Sequence, residues 1–500
     1  MQRIYKKANL LTTALALLLF TGCTKDFESI SENPNNPVVT EAVYFMTKEI
    51  VSTCYDYQSD AYMDKPASAG RYITMVRNEG NDNFGWTAAS WDGHYLRLTT
   101  NKSLHDQAAL EQKEQYVAIS KIFYAFNFSY ISDLYGDIPY TDALHSKDLK
   151  ITLPKYDQQQ DVYPSLIKLL KEANDSLATT TKSIDKAADV LYAGDILKWR
   201  KFANSLRLRL LLRCSKTYAS AVAEMQEIAG DPSKYPVFTS NSDNAELPYT
   251  TIYKWPGGPT GGGGALTDPF AEFIKRKPSK EIVDFMTERS DPRMPVLLSK
   301  VTGDPADATV DHNDYVGVPN SISLPYAYNG GDEHISTLNL DIFYQDQNPL
   351  VNASLMTYSE VCFILAEAAQ QKGVTVSGKT AESLYYEGIK ANMDYWHVSA
   401  DAQTAYKSVP TVVYDGTLKQ LIGQKWLALF IKGAEGWFDY RRTNDILGFD
   451  QKIGPVAAQH TIPKRYIYPD GERNLNRAEY DKAIAIFGED TRNTLMWYLK

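Results

Sequence analysis

The chain has 500 residues, 44% of them hydrophobic and 23% charged, the composition of a folded globular protein with room for one large core or two to three domains, which excludes a disordered chain. Its formal charge of −9 opposes nucleic acid and an anionic membrane surface as partners, since both require basic patches. Of its four cysteines, Cys23 follows an N-terminal apolar run and Thr21-Gly22; with Cys23 set aside as a modified residue, the other three allow at most one disulfide.

Arg3, Lys6 and Lys7 precede an apolar run from Leu10 to Phe20, too short for a spanning helix but suited to the core of a signal peptide. Thr21-Gly22-Cys23 resembles the lipobox at which bacterial lipoproteins are cut and acylated. A signal peptide over 1–22, an acylated tether over 23–40 and a single folded domain over 41–500 are therefore expected, with Cys23 as the lipidated residue. A cleaved signal with an unmodified cysteine is the alternative. The tether "CTKDFESISENPNNP" is polar, acidic and rich in Asn and Pro, as a solvated linker should be. Loss of the leader with its three basic residues takes the formal charge from −9 to about −12.

Beyond the tether the spacing predicts long helices. In "VAISKIFYAFNFSYISDLYG", Ile119, Ile122, Phe123, Phe126, Tyr130 and Leu134 recur at i, i+3, i+4 steps, with Gly136 placed to end the helix. "DVYPSLIKLLKEANDSLA" is amphipathic, and "ILKWRKFANSLRLRLLLR" puts Trp199, Phe202, Ala203, Leu206 and Leu210 on one face with Arg207, Arg209 and Arg213 elsewhere. "YSEVCFILAEAAQQK", "AESLYYEGIKANMDYW" and "LKQLIGQKWLALFIKGAEGWFDYRRT" follow near the C-terminus. Such segments pair as antiparallel helices, so a mainly α, tetratricopeptide-like scaffold of helical pairs is expected over about 41–231 and 350–500. Cys54, Cys214 and Cys362 are the remaining cysteines, and the last two lie in apolar helical runs, as buried thiols would.

Between the helical blocks, residues 232–349 are rich in Gly, Pro, Asn, Asp and Tyr, including "WPGGPTGGGGALTDPF" and "YVGVPNSISLPYAYNGGDEHIS". A second loop-like island, "AGRYITMVRNEGNDNFGWTAASW", covers 69–91. Long loops inside a compact domain are usually functional, so an irregular, loop-rich ligand-binding half is expected here.

The tether, "DLYGDIPYTDAL", "KWRKFANSLRLRLLLR", "YSEVCFILAEAA", "QKWLALFIKGAEGWFDYRRT" and "PKRYIYPDGERNLN", taken in order over nearly the whole chain, resemble the corresponding blocks of the SusD/RagB-like family of outer-membrane lipoproteins. The resemblance implies a lipid-anchored surface protein of Bacteroidota that caps a SusC-like TonB-dependent transporter. It further implies binding without catalysis, with oligosaccharide as the usual ligand and peptide for some members. The family carries no fixed ligand motif in the loop islands.

The search for chemistry agrees with a binding protein. "GGPTGGGGAL" lacks the Lys-Ser/Thr of a phosphate-binding loop, the seven histidines are scattered without H-E-x-x-H, and no G-x-S-x-G is present. No cofactor and no catalytic metal is expected; "DHNDYVG" gathers acidic and amide oxygens but lacks the EF-hand positions, so a solvated loop is expected there, with an incidental calcium site as the alternative. Asp133 and Asp137 have the makings of a glycosidase pair, but Asp137 follows Gly136 and suits a turn instead. Glu435, Asp439, Arg441 and Arg442 suit an ion-pair network at a helix end. A surface-anchored glycoside hydrolase, and an adhesin or assembly protein without a nutrient ligand, are the competing classes.

The ligand site is expected in the two islands. Trp86 and Trp255 each sit beside Gly or Pro, where an indole can offer a flat face to a sugar ring. Arg71, Asn81 and Asn83 would bind hydroxyls, and the Gly257–Gly264 loop would allow close approach. Tyr315, Tyr326 and Tyr328 are the alternative aromatic set.

Overall fold

The computed structural model describes residues 40–63, 65–77, 80–261 and 268–500. The expected signal peptide, Cys23 and nearly all of the tether lie outside the described residues, as do Gly262, Gly263 and Gly264 of the glycine-rich loop.

The periodic segments form the expected helices. Helix α1 (Ala42–Met63) packs on α2 (Asp92–Leu110), and α2, α3 (Glu114–Tyr135), α4 (Gln159–Thr179) and α5 (Ile196–Arg213) each pack on the next as antiparallel neighbours. Helix α3 ends at Gly136. Polar caps mark several starts: Asp195 accepts from the Lys198 amide at the head of α5, as Thr357 does for Glu360 at α6 (Tyr358–Lys372). Helices α6 and α7 (Ala381–Tyr395) form a further pair, and α8 (Leu418–Ala428) packs against both. The apolar run "KWLALFIKGAEGWFDYRR" is not one helix: it breaks after Ala428 and resumes as α9 (Glu435–Arg442).

Helix α5 is buried on every side from Phe202 to Arg213, because Arg207, Arg209 and Arg213 are consumed by ion pairs inside the scaffold. Arg207 meets Glu224 at 2.5 Å and Glu227 at 3.0 Å, Arg209 meets Glu360 at 2.6 Å, and Arg213 meets both Asp133 and Glu435. Asp439 pairs with Lys425 at 2.6 Å and with Arg442 at 2.9 Å, and Arg442 continues to Glu367 at 2.5 Å. This network stitches α3, α5, α6, α8 and α9 together. Each buried charge needs its partner, so removing one side leaves an uncompensated ion.

Strands are short and serve the irregular half. β1 (Ile73–Met75) pairs antiparallel with β3 (Arg276–Pro278), Ile73 lying opposite Pro278 and Met75 opposite Arg276. β2 (Ala245–Pro248) pairs with β6 (Asn352–Met356), and β4 (Leu298–Ser299) with β5 (Thr337–Leu338). β1 and β3 thereby bind the first loop island to the 232–349 segment. Cys54, Cys214 and Cys362 are free and buried, with burial pushing the Cys362 thiol up to about 12. Among the described residues no helix is long and apolar enough to cross a membrane.

Candidate ligand-binding site

The two loop islands are fused into one face. Thr74 Oγ1 donates to the Val318 carbonyl at 2.7 Å, Asn320 Nδ2 donates to the Ile73 carbonyl at 3.0 Å, and Ser321 Oγ donates to the Asp82 carbonyl. Val76, Val318 and Ile335 make a small buried cluster beneath, against which Ile322 and Tyr328 pack. A third segment closes the face: the Gly454 amide donates to Asn320 O at 3.1 Å and the Ala458 amide to Asn83 O at 2.7 Å.

On this base the 324–334 segment is folded tightly, with Leu324 and Asn329 at φ 50° and 54°. The Asn329 side chain holds it. Its Oδ1 accepts from the Val310 and Asp311 amides at 3.1 and 2.7 Å, and its Nδ2 donates to the Asp311 and His334 carbonyls at 2.9 and 3.0 Å. The Asn329 amide thereby organises the start of "DHNDYVG". Tyr326 stands out from this segment, 43% exposed, beside exposed Leu324, while Tyr328 is half-buried. Across β1 and β3, Arg77 Nη2 meets Asp332 Oδ2 at 2.6 Å and Lys277 Nζ meets Asp332 Oδ1 at 3.3 Å. Burial works against the Asp332 charge, yet the hydrogen bonds from Arg77 and Lys277 hold its carboxyl below the usual range. Lys277 is itself lowered by burial. The face so presents a projecting aromatic ring and a fixed ionic cluster, both carried on paired backbone.

The expected residues distribute unevenly. Asn81 and Asn83 are half-buried in the first island, where their carbonyls accept from Trp86 Nε1 at 2.8 Å and from the Ala458 amide. Tyr315 is half-buried, with the Lys300 ammonium 6.0 Å from its ring centre.

Arg71, Trp86 and Trp255 correct the expectation of exposed contacts. Trp86 is 3% exposed and meets Trp437 and Tyr466 edge-to-face at 5.4 and 5.6 Å. Trp255 is fully buried against Tyr62 at 4.4 Å, its Nε1 donating to Phe343 O at 3.0 Å. An indole in a loop can pin that loop to a core as readily as face solvent, and its large apolar surface favours the pin. Gly257 allows the second of these pins, since a Cβ there would stand 2.6 Å from Trp255 Nε1. Arg71 is fully buried; its Nη2 meets Glu281 Oε1 at 2.5 Å and the Lys452 carbonyl at 3.0 Å. Sequence reasoning missed Arg77, Lys277 and Asp332, which are unremarkable charges in the chain and meet only through the pairing of β1 with β3.

The carboxylates considered for hydrolysis are committed to the scaffold. Asp133 is held by Arg213 and Tyr163, and Asp137 Oδ1 accepts from the Gln159 amide at 2.8 Å, with burial pushing its carboxyl up to about 6. Among the described residues no group of three or more His, Cys, Asp or Glu side chains is placed to hold a metal.

The sequence profile of SusD-like proteins, described as "starch-binding associating with outer membrane", matches residues 27–469. Solved structures with the same fold include a SusD homologue from Bacteroides fragilis NCTC 9343, 24% identical with a TM-score of 0.75, covering 92% of this chain and 100% of its own. A second B. fragilis SusD homologue is 21% identical with a TM-score of 0.77, at the same coverage. A chitin-binding SusD homologue from Flavobacterium johnsoniae is 22% identical with a TM-score of 0.71, covering 92% of this chain and 98% of its own. No curated protein matches the chain.

Proposed function

The chain belongs to the SusD-like family of starch-binding proteins associated with the outer membrane, and from that premise we propose that it is a surface lipoprotein, anchored through Cys23, that binds oligosaccharide and passes it to a SusC-like TonB-dependent transporter. The observation that carries this reading is the family match over residues 27–469. The fused loop face supports where the ligand sits. A polyhydroxylated ligand stays well hydrated, so its capture is favourable where a flat apolar ring and fixed polar groups act together. Tyr326 supplies the ring, and Arg77, Asp332, Asn81 and Asn83 supply polar groups on the same fused segments. Tyr328, on the same segment, packs on the Val76, Val318 and Ile335 cluster. Starch-type and chitin-type chains are the ligands to try first, since the family description names starch and a relative of the same fold is named for chitin. Binding without catalysis accords with Asp133 and Asp137 being spent on structural bonds.

The test is calorimetry on the full-length lipidated protein in detergent, titrated with malto-oligosaccharides and chito-oligosaccharides. Tyr326→Ala should weaken binding by roughly thirtyfold, the effect of losing an aromatic hot spot worth about 2 kcal/mol. Unchanged affinity in that variant would move the site elsewhere. Capture of the tagged protein from gently solubilised outer membranes should bring a TonB-dependent barrel with it, and recovery of the free monomer alone would refute the transporter pairing.

A further inference from the structure

A cleft lies beside a short helix that is bonded to the segment carrying the tyrosine face. Helix α10 (Lys280–Thr287) begins at Ser279, whose side chain caps the Ile282 amide, and the Lys280 amide donates to Val318 O at 2.9 Å. The helix is thus built onto the same segment that carries Tyr326 and Tyr328. Lys280 Nζ meets Asp284 Oδ1 at 2.8 Å on its surface. Asp284 also lines the cleft, which encloses about 520 Å³ between α10, the 410–420 turn and the 447–452 turn, a volume within the range of ligand pockets.

Three features of the cleft point to a ligand. The first is a set of fixed planar and apolar groups. Arg289 lies flat on Phe285, its guanidinium carbon 3.6 Å from the ring centre, and Trp426 meets the same ring edge-on at 5.4 Å. Arg289 Nη1 donates to Phe285 O at 3.0 Å and to Glu288 Oε2 at 3.2 Å; among the described residues its Nε and Nη2 are not engaged. The second is a buried acceptor left open. Glu281 lines the cleft at 4% exposure, gives Oε1 to Arg71, and has no partner for Oε2 among the described residues. Arg71 Nε and Nη1 behind it are likewise unpartnered. Buried polar atoms in native proteins are almost always satisfied, so this carboxylate carries unmet hydrogen-bonding capacity at the wall of the cleft. The third is charge balance. Glu281, Asp284, Glu288 and Asp415 are matched by Arg289, Lys419, Lys452 and the adjoining Arg71. A charged ligand would meet like charge on one side, whereas a neutral hydroxyl both donates and accepts and can use both kinds of group.

We propose that this cleft is a second saccharide subsite, taking a neutral sugar ring of the same oligosaccharide whose other end lies on Tyr326. The inference rests on the oligosaccharide reading given above. Helix α10 is only about 12 Å long and is bonded to the Tyr326 segment through Val318, so a ligand of several sugar rings reaches past it while a disaccharide occupies one side. The site consequently selects long, uncharged chains, and affinity rises with chain length.

The test compares the disaccharide and hexasaccharide of the malto and chito series, by calorimetry on the full-length protein and its variants. Arg289→Ala and, independently, Lys419→Ala, which removes an exposed cation from the 410–420 side of the cleft, should each weaken hexasaccharide binding about tenfold, the loss expected for a hydrogen-bonding group at a ligand. Disaccharide binding, dependent on Tyr326, should be unchanged in both. Hexasaccharide affinity equal to wild type in both variants, with Tyr326→Ala still defective, overturns the cleft and leaves the oligosaccharide function standing. Equal loss for disaccharide and hexasaccharide also overturns it, since that is the signature of a disturbed fold. Absence of binding by the wild-type protein to every probe overturns both readings together.

Discussion

Trp86→Ala separates a core anchor from a ligand platform. The indole is 3% exposed, packs against Trp437, Tyr466 and Phe84, and donates to Asn81 O at 2.8 Å. An aromatic side chain of this size buries about 200 Å², which at about 25 cal/mol per Å² is worth roughly 5 kcal/mol, and the buried hydrogen bond adds about 1 kcal/mol. Partial collapse of the site recovers some of this, so a loss of about 4–5 kcal/mol is expected, in line with large-to-small aromatic substitutions. The bond from Arg492 Nη1 to the Trp86 carbonyl at 2.8 Å survives the substitution, so the first loop island should loosen without detaching. Guanidinium unfolding followed by far-ultraviolet circular dichroism measures the effect as a lower midpoint at unchanged slope. Trp86→Phe keeps most of the ring contacts and forfeits the N–H bond, and should lose about half as much. A Trp86→Ala protein that unfolds at the wild-type midpoint yet fails to bind oligosaccharide would refute the anchor and return the indole to the ligand.

Burial pushes the Glu49 carboxyl from 4.5 up to about 8, against hydrogen bonds from Thr53 and Asn127. The folded state therefore keeps a proton that the unfolded chain releases between these values, and stability falls as pH rises through that window, by roughly 4 kcal/mol. Glu49→Gln should remove its share of the slope and leave the share owed to Asp137 and Asp82, whose carboxyls burial also raises to about 6, and unfolding free energies at pH 5 and pH 8 that diverge equally in both proteins would contradict this. Gly433, between α8 and α9, has φ 72°, and a Cβ there would overlap the Tyr57 hydroxyl and ring; Gly433→Ala should cost about 2 kcal/mol or more through strain and displacement, and an unchanged melting temperature would rule that out. Cys23→Ala should release the protein from the membrane fraction with its melting curve intact, and retention on membranes lacking the transporter would defeat the lipid anchor.

Much of the scaffold was legible in the chain. Apolar spacing alone predicted the helices around Ile119–Leu134 and Trp199–Leu210, because an amphipathic stripe reports directly on which face a helix buries. Its reach ended where charges were buried: Arg207, Arg209 and Arg213 have the pattern of a solvated face, and only the opposing carboxylates of other helices turn them inward. The same limit applies to Trp86 and Trp255, since local composition places an indole in a loop without saying whether the loop lies over core or over water. The choice of Tyr326, and the meeting of Arg77 and Lys277 with Asp332, depend on two islands more than 200 residues apart being joined by β1 and β3. Periodicity is a property of neighbours along the chain. A binding face assembled from strand pairing and ion pairs at long sequence separation is a property of the packed whole, and only the tertiary structure decides it.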